Sequence, residues 1–89
     1  MPSENSMKVK IRYFASIRET IGQGAESAET SASTVGELRD ELIARNEAYA
    51  EALSRSRAVR VALNQVMADE SAGLAEGAEI GFFPPVTGG

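Results

Sequence analysis

The sequence has no cysteine and no histidine. Without cysteine there is no disulfide framework, no thiolate metal site and no sulfur nucleophile on a side chain. Without histidine the chain lacks the commonest general base near neutral pH and the commonest metal ligand. No metal site is expected, and carboxylates, lysines, tyrosines and the chain ends remain as acid–base groups. No apolar run approaches the roughly 20 residues that span a bilayer. The polar stretch Met1–Ser6 is not followed by a signal-type hydrophobic segment. The expected location is therefore cytoplasmic, with no membrane partner. Cations are also scarce: 9 Lys and Arg stand against 13 Asp and Glu, for a net charge of −4. Nucleic-acid binding relies on Lys and Arg, so no nucleic-acid partner is expected, and a basic protein partner fits the sign better.

What is present fits one small domain. At 89 residues, a chain buries only about 60–65% of its unfolded surface. The apolar fraction of 43% and the charged fraction of 25% are ordinary for a folded protein. There is room for one sheet and one or two helices, but little for a deep, self-contained active site. Met1–Ser6 reads as a loose extension with Met7 as an alternative start, residues 7–83 as the domain, and residues 84–89 as a flexible tail.

Lys8 to Tyr13 alternates charged and apolar residues, the period of a half-buried strand with Val9, Ile11 and Tyr13 inward. Phe14, Ile17 and Ile21 are three and four apart, which predicts a short helical turn closed by Gly22. Ala25–Thr30 is a weak second strand, paired with the first as a hairpin. Thr34 and Glu37 have the spacing of a capping box and open the main helix, about Val35–Arg45. Val35, Leu38 and Leu42 share its inner face, and Glu41 and Arg45 form a pair four residues apart. Asn46 reads as a stop, and Glu47–Leu53 as a shorter helix with Tyr49 and Leu53 inward. Val59, Val61 and Leu63 alternate as a strand. Asn64-Gln65 is a turn, Val66-Met67 a short return strand, and Ile80–Phe83 a last strand that Pro84-Pro85 ends. The class is α+β, a sheet packed on one face by helix.

The segment with most chemical content is Phe82-Phe83-Pro84-Pro85-Val86-Thr87-Gly88-Gly89. The prolines hold the chain extended as it leaves the sheet. Two glycines without Cβ can enter a channel too narrow for other residues. The terminal carboxyl, with a reference pKa of about 3.5, is ionised at neutral pH and needs activation, as an acyl-adenylate, before it can react. Sulfur attack on that mixed anhydride leaves a thiocarboxylate. A chain with no cysteine would have to carry sulfur, if it carries any, on its terminus rather than on a side chain. Against this stands the plain reading of a frayed terminus, which Gly-Gly alone does not exclude.

Phe82 and Phe83 are strand neighbours and face opposite sides, so one belongs to the core and the other to solvent or a partner. Gly22-Gln23-Gly24 lacks the third glycine of a dinucleotide loop and reads as a turn. Asp69-Glu70 reads as a solvated loop. Arg55, Arg57 and Arg60 form a small basic cluster, read as a solvated face, with docking to an acidic surface as the lesser alternative.

These residues resemble the MoaD family, the small subunit of molybdopterin synthase. The resemblance rests on Tyr13-Phe14-Ala15 with Arg18-Glu19, on Thr34-Val35 with Leu38-Arg39, on Asn64-Gln65, and above all on the last eight residues. It implies a ubiquitin-like β-grasp fold: a mixed sheet covered by one main helix, with the first and last strands side by side in its centre. It implies no bound cofactor, and ATP-dependent adenylation of Gly89 by a separate activating enzyme. Thiocarboxylation follows, and then sulfur transfer to cyclic pyranopterin monophosphate inside the large subunit. By the same resemblance, Thr87, Gly88 and Gly89 enter the partner's active site, and Phe83, Pro84, Pro85 and Val86 form the interface. Two small subunits assemble on a dimer of large ones. Such a chain is not an enzyme alone. Two alternatives share the features read here: a carrier for another pathway, such as thiazole synthesis, or a ubiquitin-like modifier; and a β-grasp binding module with no terminal chemistry.

Overall fold

The computed structural model describes residues 6–85. Five strands and three helices run in the order β1 (Met7–Tyr13), α1 (Ala15–Ile21), β2 (Ala25–Thr30), α2 (Val35–Ile43), α3 (Glu47–Leu53), β3 (Arg60–Leu63), β4 (Val66–Ala68) and β5 (Glu79–Phe83). The sheet order is β2-β1-β5-β3-β4. β1 pairs with β5 in parallel, with Tyr13 opposite Phe82, while the β1–β2, β3–β5 and β3–β4 pairs are antiparallel. This is the ubiquitin-like β-grasp, with the first and last strands adjacent in the centre, as the resemblance implied.

Alternation decides which face each strand buries. Val9, Ile11 and Tyr13 of β1, Val61 of β3, and Ile80 and Phe82 of β5 point under the helices. There they meet Ile17 of α1, Val35, Leu38 and Leu42 of α2, and Tyr49, Ala52 and Leu53 of α3. Tyr13 stacks on Phe82 at 6.3 Å between ring centres.

Local chemistry sets the boundaries. Gly22 closes α1 in the left-handed region at φ 96°. Thr34 caps α2 by accepting from the Glu37 N–H. The Glu37 carboxylate accepts from the Ser33 N–H rather than that of Thr34, one residue further out than the expected box. Asn46 is a start rather than a stop: its Oδ1 accepts from the Tyr49 N–H and caps α3. Asn64 and Gln65, at φ 53° and 71°, make the tight turn between β3 and β4.

The expected Glu41–Arg45 pair does not form. Thr30 Oγ1 donates to Glu41 at 2.5 Å, and Arg45 reaches β2 to pair with Glu26 at 2.8 Å. α2 ends at Ile43, so Arg45 lies past the last turn and is free to swing toward the sheet edge. Phe14 is also not on the inner face of α1. It is the extended N-cap residue, at φ −126°, and continues the strand alternation outward.

Candidate functional site

The site is the place where β5 leaves the sheet. Phe83 is the last residue on the ladder, opposite Arg60 of β3. Pro84 and Pro85 have no N–H to continue it. Of the tail residues expected to act, Phe83, Pro84 and Pro85 are placed by the structure; Val86, Thr87, Gly88 and Gly89 lie outside the described residues, as do Met1–Asn5 of the N-terminal extension.

The two phenylalanines divide as alternation requires. Phe82 is fully buried, and Phe83 is half-buried on the uncovered face of the sheet. Phe83 does not stand alone. Phe14 packs edge-on against it, with ring centres 6.2 Å apart and planes at 84°. The Phe14 ring lies over Gly81, where an added Cβ would come within 3.2 Å of it. Arg12 covers the same ring at 5.7 Å from its centre. Across the sheet, Gly81 is opposite Ala62, and Ala62 is opposite Met67 on β4. Phe14 is 42% exposed and Met67 55%, so Phe14, Phe83, Ala62 and Met67 make an apolar surface running from the tail root to the far edge. Of these four, sequence reading had singled out Phe83 alone. Phe14 was legible as the next outward position after Tyr13, and Met67 as the outward residue of a two-residue hairpin.

The chain turns sharply at the first residue of α1. Ala15 sits at φ 53°, a left-handed conformation that costs a residue with Cβ roughly 1 kcal/mol. It is held there by the Phe14 N–H donating to the Phe82 carbonyl at 3.1 Å, and by the Ile17 N–H donating back to the Phe14 carbonyl at 3.1 Å. The turn fixes the Phe14 ring over β5. On the other side of the tail root, Ser16, Ile17 and Thr20 of α1, Arg57, Ala58 and Val59, and Pro84 and Pro85 line an open cleft of about 250 Å³.

Two charge networks hold the helices under this surface. In the first, the Glu26 carboxylate accepts from Tyr13 at 2.8 Å, Tyr49 at 2.6 Å and Arg45 at 2.8 Å. Burial pushes this carboxyl up, but the three donors outweigh it and leave it below its ordinary value. Burial, and then the bond to Glu26, raise the Tyr13 phenol far above the usual tyrosine range. In the second, Arg39 is 4% exposed. It donates to the carbonyls of Leu53 at 2.8 Å, Ser54 at 2.7 Å and Arg57 at 3.2 Å, and to Glu70 at 2.5 Å. Arg55 binds both Glu70 and Asp40. Burial raises the Glu70 carboxyl, and the bonds from Arg55 and Arg39 outweigh it and bring it down. Arg55 stays exposed as read and Glu70 lies in a loop, but both are paired rather than free: Arg39, buried in α2, needs an anion, and Glu70 supplies it and draws in Arg55. Sequence reading missed Arg39, although its place four residues after Val35 put a charge on the inner face of α2.

Against this geometry, the sequence profile of the ThiS family matches residues 11–89. The chain belongs to the ThiS family. The molybdopterin synthase sulfur carrier subunit of Escherichia coli (strain K12) is 36% identical over 81 residues, covering 91% of this chain and 99% of its own length. The expected small-subunit resemblance is borne out by this relative. Among solved structures, the Haloferax volcanii HVO 2177 protein matches with a TM-score of 0.80 at 26% identity, over 100% of this chain and 92% of its own. A chain of the complex of subunits 1 and 2 of molybdopterin-converting factor from Helicobacter pylori 26695 matches with a TM-score of 0.62 at 31% identity, over 93% of this chain and 100% of its own. Among the described residues of this ThiS-family chain, no helix is long and apolar enough to cross a membrane.

Proposed function

We propose that this chain is a sulfur carrier of molybdenum cofactor biosynthesis, the non-catalytic small subunit of a molybdopterin synthase. The single observation that carries the proposal is the agreement between site and kinship. An apolar surface and two prolines stand at the root of the tail, in a chain that shares 36% identity over 81 residues with a named molybdopterin synthase sulfur carrier. The Helicobacter pylori complex of subunits 1 and 2 supports a large-subunit partner.

A Gly89 carboxylate oxygen attacks the α-phosphorus of ATP on the activating enzyme, and pyrophosphate leaves. A sulfur nucleophile at the oxidation level of sulfide attacks the acyl carbon, and AMP leaves. The resulting thiocarboxylate passes into the large subunit; its sulfur bonds to a side-chain carbon of cyclic pyranopterin monophosphate with loss of an oxygen substituent there, and water then cleaves the acyl–sulfur bond, leaving sulfur on the pterin and restoring the Gly89 carboxylate. The chain's own residues present the terminus: Thr87, Gly88 and Gly89 are slender enough to enter a narrow channel, while Phe83, Pro84, Pro85 and Val86 dock at its mouth. Two small subunits on a dimer of large ones deliver the two sulfurs of a dithiolene. The activating enzyme holds the ATP, the carrier binds no cofactor, and the assembly works in the cytoplasm.

The test is intact-mass analysis after incubation with the activating enzyme, ATP and a sulfur donor. The expected result is a shift equal to one oxygen replaced by sulfur, mapped to Gly89. An unshifted wild-type chain, or pterin sulfuration that survives residues appended after Gly89, overturns the proposal. Selective capture of a thiazole synthase in place of the large subunit redirects it to another pathway.

A further inference from the structure

Arg55, Arg57 and Arg60 lie within six positions of one another, and the fold gives them opposite fates. Arg55 is folded back onto Asp40 and Glu70. Arg57 lines the cleft beside Pro84 and Pro85. Arg60 is exposed on β3, directly across the ladder from Phe83. Neither Arg57 nor Arg60 has an anion among the described residues. The two free guanidiniums therefore stand on either side of the tail root.

Resting on the sulfur-carrier reading, we propose that Arg57 and Arg60 form a cationic collar that steers the tail onto an acidic rim of the activating enzyme. The collar is preorganised. The Arg57 carbonyl accepts from buried Arg39 at 3.2 Å, and its N–H donates to the Ser54 carbonyl at 2.9 Å. The loop that carries Arg57 is fixed before any partner arrives. The net charge of −4 points to a basic partner, but charges beyond about 8–10 Å are largely screened at physiological salt. At contact the partner meets the local cations. Rim charges raise encounter rates more than they lengthen residence. That suits the partner a carrier must visit briefly and leave once loaded. The lasting assembly with the large subunit depends instead on buried apolar area of the kind that Phe14, Phe83 and Met67 present.

The test is stopped-flow association of the full chain with its activating enzyme across a salt series, for Arg57→Glu, Arg60→Glu and the double variant. Lys8→Glu is the control: it makes the same charge change at the opposite end of β1, away from Phe83. Arg57→Gln removes the charge without reversing it. At low salt, each reversal at the collar is expected to slow association about 3–10-fold, with Arg57→Gln intermediate, Lys8→Glu near wild type, and dissociation unchanged. The gap closes near 1 M salt. Collar variants no slower than Lys8→Glu, a slowing that persists at high salt, or a slowing confined to the large subunit overturns the collar. If the enzyme adenylates wild type and the double variant at equal rates, only the collar falls. If it adenylates neither, the sulfur-carrier reading falls with it.

Discussion

The two faces of the sheet are made from the same strands and do opposite work. On β5, Ile80 and Phe82 are fully buried, while Glu79 and Phe83, their alternating neighbours, face the uncovered side. On β1, Val9, Ile11 and Tyr13 lie at 0–1% exposure, and Lys8, Lys10 and Arg12 are exposed. The covered face is closed by three helices and two charge networks. The open face is a thin apolar strip edged by arginine. A period of two buries one set of side chains for stability and leaves the other available to a partner, so the two can be separated by substitution.

The largest effect expected is the contrast between adjacent aromatics. Phe82→Ala empties a fully buried site and is expected to cost about 3–5 kcal/mol in chemical denaturation. Phe83→Ala is expected to cost about 1 kcal/mol or less in stability, and to weaken large-subunit binding roughly tenfold or more. Equal losses of stability would break the division between faces.

Next is Arg39→Met. It strands Glu70 and uncaps three carbonyls, and is expected to cost about 3 kcal/mol. Hydrogen exchange should rise first in the loop after α3.

Glu26→Gln follows, at about 1–2 kcal/mol. The carboxyl of Glu26 sits below its ordinary value in the folded chain. Its stabilisation is therefore present above the unfolded carboxylate pKa of about 4.3, and is lost as pH falls through the lower folded value. The variant should show a flatter acid limb in thermal melts as pH falls from about 4.3 through the lower folded value. An acid limb as steep as wild type would remove Glu26 from the account.

The smallest effect on stability is expected from Gly81→Ala, within about 0.5 kcal/mol. Its new Cβ presses on the Phe14 ring at 3.2 Å, so binding should suffer more than melting temperature does.

Much of this division is legible in the sequence. Alternation marks the inner residues of β1 and β3 and parts Phe82 from Phe83 on β5 without saying which is buried, and the threonine-to-glutamate spacing marks the start of α2. The tail was visible because glycines and prolines carry their physics in their own covalent geometry. What escaped were features that depend on distant parts of the chain. Arg39 meets carbonyls 14 to 18 residues on and a carboxylate 31 residues on. Glu26 gathers Tyr13 from β1, Tyr49 from α3 and Arg45 from the turn after α2. Helical periodicity also captured Phe14 wrongly, since helical spacing alone cannot tell where a strand stops turning residues outward.

The parallel pairing of β1 with β5 has a consequence for how the molecule is made. The innermost seam of the sheet joins Lys10–Tyr13 to Glu79–Phe82, nearly the whole chain apart. A chain broken off before Glu79 lacks the strand that β1 and β3 both need as a neighbour. Synthesis that stops short thus yields a polypeptide that cannot complete its core and is open to proteolysis. Completion of the core therefore requires the chain to be made through β5, almost to the root of the tail.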